Sequence, residues 1–362
     1  MSMEQTILQE LRQKGAFQAL IDATAERYRP IVWKNFFGWK DVTDLKWESI
    51  TGASGPGAAA TVVSFDSAAP LRSRKSISKV SGEIPSIREK FRMTEKDLQE
   101  YLNISKLGAT QERILKLIID DIKNAAEAPH KRLDIFTLEA LSTGQITLNT
   151  TNNPDGMVWE TAIDYGMPSG NKKGVTAVWS DVANSKPITD ITTICDLAAA
   201  NGHKLEYMYM RRAMFNYLKN SAETKSYITG YAIGKAEQKV NLSLQLINEY
   251  LLAESMPQIR IVDVQIGIEK DGNVTNFNPF AEHRVAFTPA GLLGEMYNGP
   301  IVEREIPVKQ VTYAEYDRVL LKKWHDIDPI SEFTGCELNA FPAWNNVLSC
   351  YLLNTNNVNT YA

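Results

Sequence analysis

The side chains that most often carry chemistry are few in this 362-residue chain, and they are widely spaced. The four histidines are His130, His203, His283 and His325. They match no H-E-x-x-H motif and no other metal-ligand spacing, and no G-x-S-x-G motif is present to hold a nucleophilic serine. Isolated histidines are more often structural than catalytic. We therefore predict no catalytic residue, no metal site and no bound cofactor.

Three cysteines, Cys195, Cys336 and Cys350, are too few and too scattered for a disulfide framework or a C-x-x-C site. Their number predicts buried thiols in a reducing compartment. The N-terminal residues do not form a signal peptide, and no run of about 18 apolar residues predicts a membrane span. We therefore expect the chain to be made and kept in a cytoplasm, without a membrane partner.

Two further patterns resemble functional motifs but have simpler explanations. The glycine-rich residues 52–57 lack the lysine and the following helix of a phosphate-binding loop, so we interpret them as a hinge. The acid pairs Asp120 with Asp121 and Asp326 with Asp328 have the residue types for acid–base catalysis or cation binding. Such pairs are common on solvated faces, so they are weak evidence for either function.

Composition limits the class of protein. The chain is 44% hydrophobic and 23% charged, which is typical of globular proteins. Its net charge of -4 argues against a dedicated nucleic-acid-binding protein, because phosphate contacts require clustered lysine and arginine. We expect any contact with nucleic acid to be local or weak.

Residues 56–98 form the most informative stretch, which predicts a long two-stranded arm with too little apolar surface to fold alone. Strand-like runs at 61–65 and 73–80 flank the turn-forming residues 68–70. A long exposed strand edge is a template for pairing with another chain. The pattern therefore predicts assembly with a neighbouring subunit.

Basic residues outnumber acidic ones along this arm, which indicates how it could contact a neighbour. Alternation along a strand places Arg72 and Arg74 on one face and Lys75 and Lys79 on the other. Arg88, Lys90 and Arg92 extend the basic run. We predict that the first four residues contact acidic groups of an adjacent subunit, although a solvated hairpin explains any single charge equally well.

Helical and strand patterns follow the arm. Residues 110–144 have the spacing of a long helix, with a kink or break predicted at Pro129 and a C-terminal cap at Gly144. Beyond residue 179 helices and strands alternate, as in an α/β layer. A helix capped by Thr189 or Asp190 is expected to reach residue 202, and Asp271-Gly272 predicts a hairpin turn.

The order of these parts resembles the lambda-type major capsid protein family, whose members have the HK-97-like (Hong Kong 97) fold. The similar segments are FDSAAPLRSRKSISKVSGEIPSIREKFRMTEKDL, KRLDIFTLEALSTGQITL, AIDYGMP, PITDITTICDLAAANGHKLEYMYMRRAMFNYLKN, MPQIRIVDVQIGIEKDGNVTNFNP and DIDPISEFTGCELNAFPAWNNVLSCYLLNT. They correspond, in order, to that family's extended arm, the end of its spine helix, the following strand, the axial helices, the returning strands and the closing segment.

The resemblance implies an α+β fold with five parts. These are an N-terminal arm at 1–50, an extended β-hairpin loop at 51–98, a peripheral domain with the spine helix at 99–178, an α/β axial domain at 179–322, and a C-terminal segment at 323–362 that returns to the peripheral domain. It also implies a virion protein, assembled in the host cytoplasm, whose hexamers and pentamers close an icosahedral shell around the double-stranded DNA of a tailed bacteriophage.

The resemblance further implies a set of partners, and alternative functions also remain. The expected partners are a portal, optional decoration proteins, non-specifically packaged DNA and a separate scaffolding protein, because only about 50 residues precede the arm. Some members of the family form covalent cross-links through lysine side chains, and Lys75 and Lys79 on the arm are the candidates for such a link here. The alternatives are an encapsulin-like nanocompartment, a soluble α/β enzyme with a dimerisation arm, and a DNA-binding module that uses residues 71–92.

Overall fold

The computed structural model describes residues 14–24, 30–52, 59–62, 65, 68, 78–99, 111–233 and 242–361. Its helices are α1 (Lys14–Thr24), α2 (Gln111–Thr143), α3 (Pro187–Ala200), α4 (Arg212–Asn220), α5 (Ala222–Ile233), α6 (Leu244–Ala253) and α7 (Val302–Glu305). The predicted α+β class is confirmed, because long helices and antiparallel sheets occur in the same chain. Within the described part, no helix is long and apolar enough to cross a membrane.

Seventeen strands are described. They are β1 (Phe37–Asp41), β2 (Lys46–Thr51), β3 (Ser78–Glu83), β4 (Ser86–Thr94), β5 (Gln145–Ile146), β6 (Ile163–Asp164), β7 (Lys172–Val175), β8 (Tyr207–Met210), β9 (Gln258–Ile261), β10 (Ile266–Lys270), β11 (Asn273–Phe277), β12 (Arg284–Thr288), β13 (Gly294–Asn298), β14 (Thr312–Tyr316), β15 (Val319–Ile327), β16 (Ile330–Ala343) and β17 (Tyr351–Val358).

The chain divides into two compact units, each built from separate stretches of sequence. Unit 1 contains Met1–Trp47, Gly82–Asp134 and Met296–Ala343, and unit 2 contains Glu48–Ser81, Ile135–Glu295 and Trp344–Ala362. The predicted C-terminal segment at 323–362 therefore contributes β15 and β16 to unit 1 and β17 to unit 2. The five predicted domain limits stay a prediction.

Unit 1 is organised around the long strand β16. The sheet has the order β1-β13-β16-β15-β14, and β4 also pairs with β16. The β4 ladder is antiparallel and extends from Ser86 opposite Asn339 to Thr94 opposite Ser331. From Ser331 onward every residue of β16 is buried, which is typical of a strand with neighbours on both edges and side chains packed on both faces.

Unit 2 contains a five-stranded sheet with the order β7-β17-β12-β8-β9. The pairs β17–β7 and β8–β9 are parallel, whereas β12 is antiparallel to both of its neighbours. Fully buried side chains such as Met208, Ile247 and Phe287 form one apolar core between this sheet and helices α3, α4, α5 and α6. Burial of these apolar surfaces stabilises the unit.

The long helix α2 confirms one local prediction and corrects another. It continues through Pro129, so a break at this residue is wrong, whereas the alternative of a kink stays a prediction. Buried Ala125, Ala126 and Leu133 on both sides of the proline indicate that packing compensates for the lost hydrogen bond. Gly144 ends the helix as predicted, because its φ of 81° is left-handed and its N–H donates to the Ala140 carbonyl at 2.7 Å.

The start of α3 corrects a second prediction. Neither Thr189 nor Asp190 caps this helix. The Glu223 carboxylate, which follows 35 residues later on α5, accepts hydrogen bonds from the main-chain N–H of Ile188 at 2.8 Å and of Thr189 at 3.3 Å. Asp190 lies inside the helix and accepts from the Trp179 indole N–H at 2.9 Å. The cap is thus supplied by tertiary structure.

The predicted hairpin in unit 2 is confirmed. Strands β10 and β11 pair antiparallel from Ile266 opposite Phe277 to Lys270 opposite Asn273. The two turn residues, Asp271 and Gly272, both have positive φ, at 52° and 77°. That geometry is typical of the tight turns that Asp-Gly favours.

Candidate intersubunit surface

Of the four arm residues predicted to contact a neighbouring subunit, the structure describes one, Lys79. Arg72, Arg74 and Lys75 lie outside the described residues. Lys79 lies on β3, and its Nζ contacts Oε2 of Glu48 on β2 of the same chain. Both side chains are about half exposed, so this ion pair contributes little to stability. The structure thus brings Lys79 to the base of the arm, and its contact with a neighbour stays a prediction.

The base of the arm is anchored within unit 2. Strands β2 and β3 form a two-stranded sheet, in which the Thr51 hydroxyl donates to the Ser78 carbonyl at 3.2 Å. The buried Ser49 hydroxyl donates to the Trp344 carbonyl at 2.5 Å, and Ile50 N–H donates to Asn345 Oδ1 at 3.3 Å. These bonds hold the chain in place on both sides of residues 53–77.

Unit 1 holds the neighbouring residues of the same two strands by aromatic packing. The Trp47 ring is 1% exposed, and its centroid lies 4.7 Å from that of Phe341. Gly82 lies against this indole so closely that a Cβ at Gly82 would come within 3.0 Å of Trp47 Nε1. A side chain at residue 82 would have to shift the indole by a few tenths of an ångström, so the close approach favours glycine.

Beyond its base, the arm exposes large apolar side chains. Val62 is 97% exposed and Phe65 is 100% exposed. A phenylalanine that is fully solvated in the isolated chain is typical of a surface that another molecule covers. Sequence reasoning treated residues 61–65 as a strand without selecting these two side chains. Their position in an apolar run between small residues was the available signal.

The second half of the basic stretch is not a free ribbon, because β4 pairs along its whole length with β16 of the same chain. Arg88 bonds Oε1 of the buried Glu337 at 2.8 Å, and Lys322 on β15 contacts the other oxygen of that carboxylate. Lys90 Nζ and the Arg92 guanidinium lie 5.9 and 5.8 Å from the Phe333 ring centroid. Arg88, Lys90 and Arg92 therefore make contacts within their own chain, and they do not continue the basic face that was predicted to meet a neighbouring subunit.

A group of titratable residues in unit 1 is the arrangement most similar to an enzyme site. A small cavity is lined by Pro30, Ile31, Glu127, His130, Lys131, Asp134 and Tyr316. The Trp33 indole N–H donates to His130 Nδ1 at 3.3 Å, and His130 Nε2 lies 3.4 Å from Asp317 Oδ2. Burial lowers the pKa of His130 to about 4, although Asp317 opposes that change.

One polar group of this cavity, Asp134, also holds the backbone in place. Asp134 Oδ1 accepts from the N–H groups of Val32 and Trp33 at 3.1 and 2.8 Å, which fixes the short helical turn Trp33–Asn35. Asp317 also pairs with Lys34 at 2.6 Å. The arrangement therefore connects α2, the segment before β1 and the β14–β15 turn, as a structural joint does.

The remaining candidate chemistry is dispersed. Burial raises the pKa of Cys195 to about 11 and that of Cys336 to about 12, and it also raises the pKa of Cys350, so all three stay protonated thiols. Burial raises the pKa of Asp121 against the opposing charge of Lys323. Asp326 is exposed on β15, and Asp328 lies in the exposed turn that follows it. In the described ranges, no three His, Cys, Asp or Glu residues are placed to hold a metal ion.

Several solved structures have a chain that follows a course similar to that of this one. A phage-related protein from Bordetella bronchiseptica RB50 is 12% identical with a TM-score of 0.49, covering 93% of this chain and 96% of that one. The Cyanophage A-1(L) capsid asymmetric unit is 11% identical with a TM-score of 0.46, covering 88% and 89%. The satellite phage P4 procapsid is 12% identical with a TM-score of 0.39, covering 96% and 92%.

At these identities and TM-scores the classification rests on the family comparison. No curated protein matches the chain significantly. The model of the family described as "Phage major capsid protein E" matches residues 24–350. The HK-97-like class predicted from the resemblance agrees with that family and with the α+β layout of both units, and the encapsulin-like alternative is not favoured. The chain belongs to the phage major capsid protein E family and is a structural protein of a phage capsid.

Proposed function

We propose that this subunit assembles into hexamers and pentamers that close an icosahedral shell around the double-stranded DNA of a tailed bacteriophage, and that it has no enzymatic activity. The observation that supports this best is the pairing of an anchored arm base with fully exposed Val62 and Phe65. Obligate interfaces bury thousands of Å2 of largely apolar surface, and exposed aromatic side chains are frequent anchors in them.

The arm of one subunit lies across a neighbour in the same ring. Val62 and Phe65 supply the apolar contact, while Arg72, Arg74 and Lys75 approach acidic side chains of that neighbour and pair with them. Heterologous contacts of this kind close into rings when the rotation between copies is fixed. The anchoring of β2 and β3 supplies that fixed direction, because it limits the angles at which the arm leaves the body.

The wider setting belongs to the same proposal. A separate scaffolding protein, a portal and optional decoration proteins would complete a shell that is assembled in the host cytoplasm and becomes part of the virion. Packaged DNA would be contacted without sequence preference. The net charge of -4 fits such weak contact better than the alternative of a DNA-binding module at residues 71–92.

The experiment is a deletion of residues 60–76, which leaves both β2 and β3 whole. We expect a folded protein that forms no closed particles, because the contact surface is lost while both units remain. The paired substitution Val62→Ser with Phe65→Ser should have the same effect without shortening the chain. Electron microscopy and sedimentation measure the outcome. Normal closed shells from either variant would contradict the proposal.

A matched control is Val274→Ser. Val274 is 65% exposed on the β10–β11 hairpin and is therefore another exposed apolar side chain outside the arm. We expect this variant to assemble as the unmodified chain does. If the protein were instead an enzyme with a dimerisation arm, the unmodified chain would form dimers and no shells. Electron microscopy of the unmodified protein therefore separates the two proposals.

A further inference from the structure

The outer edge of β14 is the end of the sheet in unit 1. Its inner edge pairs with β15 through a two-residue turn, which places Tyr316 opposite Val319 and Ala314 opposite Leu321. In an antiparallel ladder the residues that bond inward alternate with residues whose N–H and C=O point outward. Glu315 therefore directs both main-chain groups away from β15.

One side chain of α1 occupies both of these outward groups. Gln18 Oε1 accepts from the Glu315 N–H at 2.9 Å, and Gln18 Nε2 donates to the Glu315 carbonyl at 3.0 Å. The second hydrogen of the same amide donates to Asp22 Oδ1 at 2.9 Å, one helical turn later. A residue of an adjacent antiparallel strand would make the same two bonds to Glu315.

The helix that carries Gln18 lies against β14 and has a buried apolar face. Phe17 and Ile21, on either side of Gln18 in the sequence, are 0% exposed. They share one face of α1, because residues four apart lie above one another on a helix. The carboxamide is thus held at the strand edge by its neighbours as well as by its own hydrogen bonds.

We propose that α1 covers a latent strand-pairing surface, the outer edge of β14, which a second copy of this chain would otherwise occupy. Uncovered edges pair with other chains, and a covering helix is one way in which proteins prevent this. A capsid subunit is concentrated among its own copies during assembly. Because α1 blocks pairing at this edge, subunits associate only through the contacts that build a shell.

The test replaces Gln18 by methionine in the full-length chain, which keeps the side-chain length but removes both bonds to Glu315. We expect hydrogen exchange at the Glu315 amide to become at least about tenfold faster, since a lost pair of hydrogen bonds is worth about that factor. Sedimentation velocity should show new dimers and larger species that are not closed shells.

The matched control is Gln245→Met, because Gln245 is also an exposed helical glutamine that bonds a residue four positions later, Glu249, at 3.0 Å. It should change neither measurement. Adding Glu315→Pro to Gln18→Met should remove the new species, because proline lacks the outward N–H and is tolerated on edge strands. Glu315→Pro alone should sediment as the unmodified chain does.

Two results would overturn the proposal that α1 covers the outer edge of β14. One is unchanged exchange and sedimentation in Gln18→Met. The other is new association that persists when Glu315→Pro is added, since that association would not run through the β14 edge. Neither measurement requires shells to form, so a failure here is distinct from a failure of the assembly proposed above.

Discussion

The two units of this subunit bury different kinds of side chain. Within the described residues, six acidic or basic side chains of unit 1 are buried: Glu127, His130, Asp134, Lys323, Glu332 and Glu337. Unit 2 buries one such side chain, Asp190, and contains a large continuous apolar cluster. The difference shows that two parts of one polypeptide reach stability by different routes, one through directed pairs and one through shape and hydrophobic burial.

The physical consequences of the two routes differ. A buried ion pair requires its partner at a fixed distance, and removal of one member leaves an uncompensated charge in a medium of low dielectric. An apolar core tolerates changes of shape more gradually, and its stability depends on the volume that is filled. Unit 1 should therefore respond to pH and to charge substitutions, whereas unit 2 should respond to changes in side-chain volume.

The largest effect is expected from Lys323→Met in unit 1. Lys323 Nζ lies 3.5 Å from Glu332 Oε1, and both side chains are almost fully buried. We expect a loss of about 3 to 5 kcal/mol in the free energy of unfolding, because removing one member of a buried ion pair leaves the other buried without that countercharge. Urea unfolding of the unassembled subunit measures it. Adding Glu332→Leu should restore most of the loss, and a double variant as unstable as the single one would contradict the interpretation.

In unit 2 the corresponding change is Leu251→Ala. Leu251 is 0% exposed within the apolar core. We expect a loss of about 3 kcal/mol from the missing burial and the cavity that remains. This loss should be the same at pH 5 and pH 7, in contrast to changes in unit 1. The exposed neighbour Leu252, changed to alanine, is the control and should alter stability by less than about 0.5 kcal/mol. A pH-dependent loss at Leu251 would erase the contrast between the units.

The pH dependence of unit 1 should come partly from His130. Burial lowers its pKa from 6.5 to about 4, so the unfolded chain binds a proton before the folded chain does. Its contribution is fully present above about pH 6.5 and is lost as the pH falls towards 4, amounting to no more than about 3 kcal/mol. His130→Gln should flatten the unfolding free energy over this range relative to the unmodified chain.

The control for that measurement is His325→Gln, since His325 is exposed on β15. It should leave the pH profile of the unmodified chain unchanged. Charged and titratable groups around His130 include Lys34, Glu127 and Asp317, and their charges enter both profiles equally. If the free energy of unfolding depended on pH in the same way for His130→Gln and for the unmodified chain, the buried imidazole would not be a source of the pH dependence expected of unit 1.

The smallest expected effect is at the arm base. Gly82→Ala brings a Cβ within 3.0 Å of Trp47 Nε1, so the indole must move, at a cost of about 1 to 2 kcal/mol. Gly52→Ala is the matched control, because a Cβ there meets no atom within 4 Å. Thermal unfolding compares the two. We expect the yield of closed shells to fall only for Gly82→Ala, since only that change disturbs the packing of Trp47.

Local elements were largely predictable because their signals lie within a few residues. The Asp271-Gly272 turn, the cap at Gly144 and the long helix α2 follow from turn chemistry and from hydrophobic periodicity. Pro129 was misleading because a local rule against helix continuation was outweighed by packing on both sides. Helix α5 was missed because its apolar and polar residues do not separate to two faces of the helix.

The candidate intersubunit surface stays a prediction, to which the sequence and the described residues contribute different parts. The low apolar content of the arm and its surplus of basic residues indicated a contact region, and the described residues add Val62 and Phe65 as its apolar part. Arg88 was grouped with the arm because it continues the same basic run. Its actual partner, Glu337, is 249 residues away and is opposite it only through the β4–β16 register.

The local turns, the two longest helices, the scattered distribution of reactive side chains and the resemblance to a capsid family could all be read from residues close together in the chain or from their order. The folded structure was needed to show which charges are paired, which carboxylate caps α3 and which side chain closes the edge of β14. Those contacts join residues far apart in the chain, and their energies depend on burial, which no short stretch of sequence specifies.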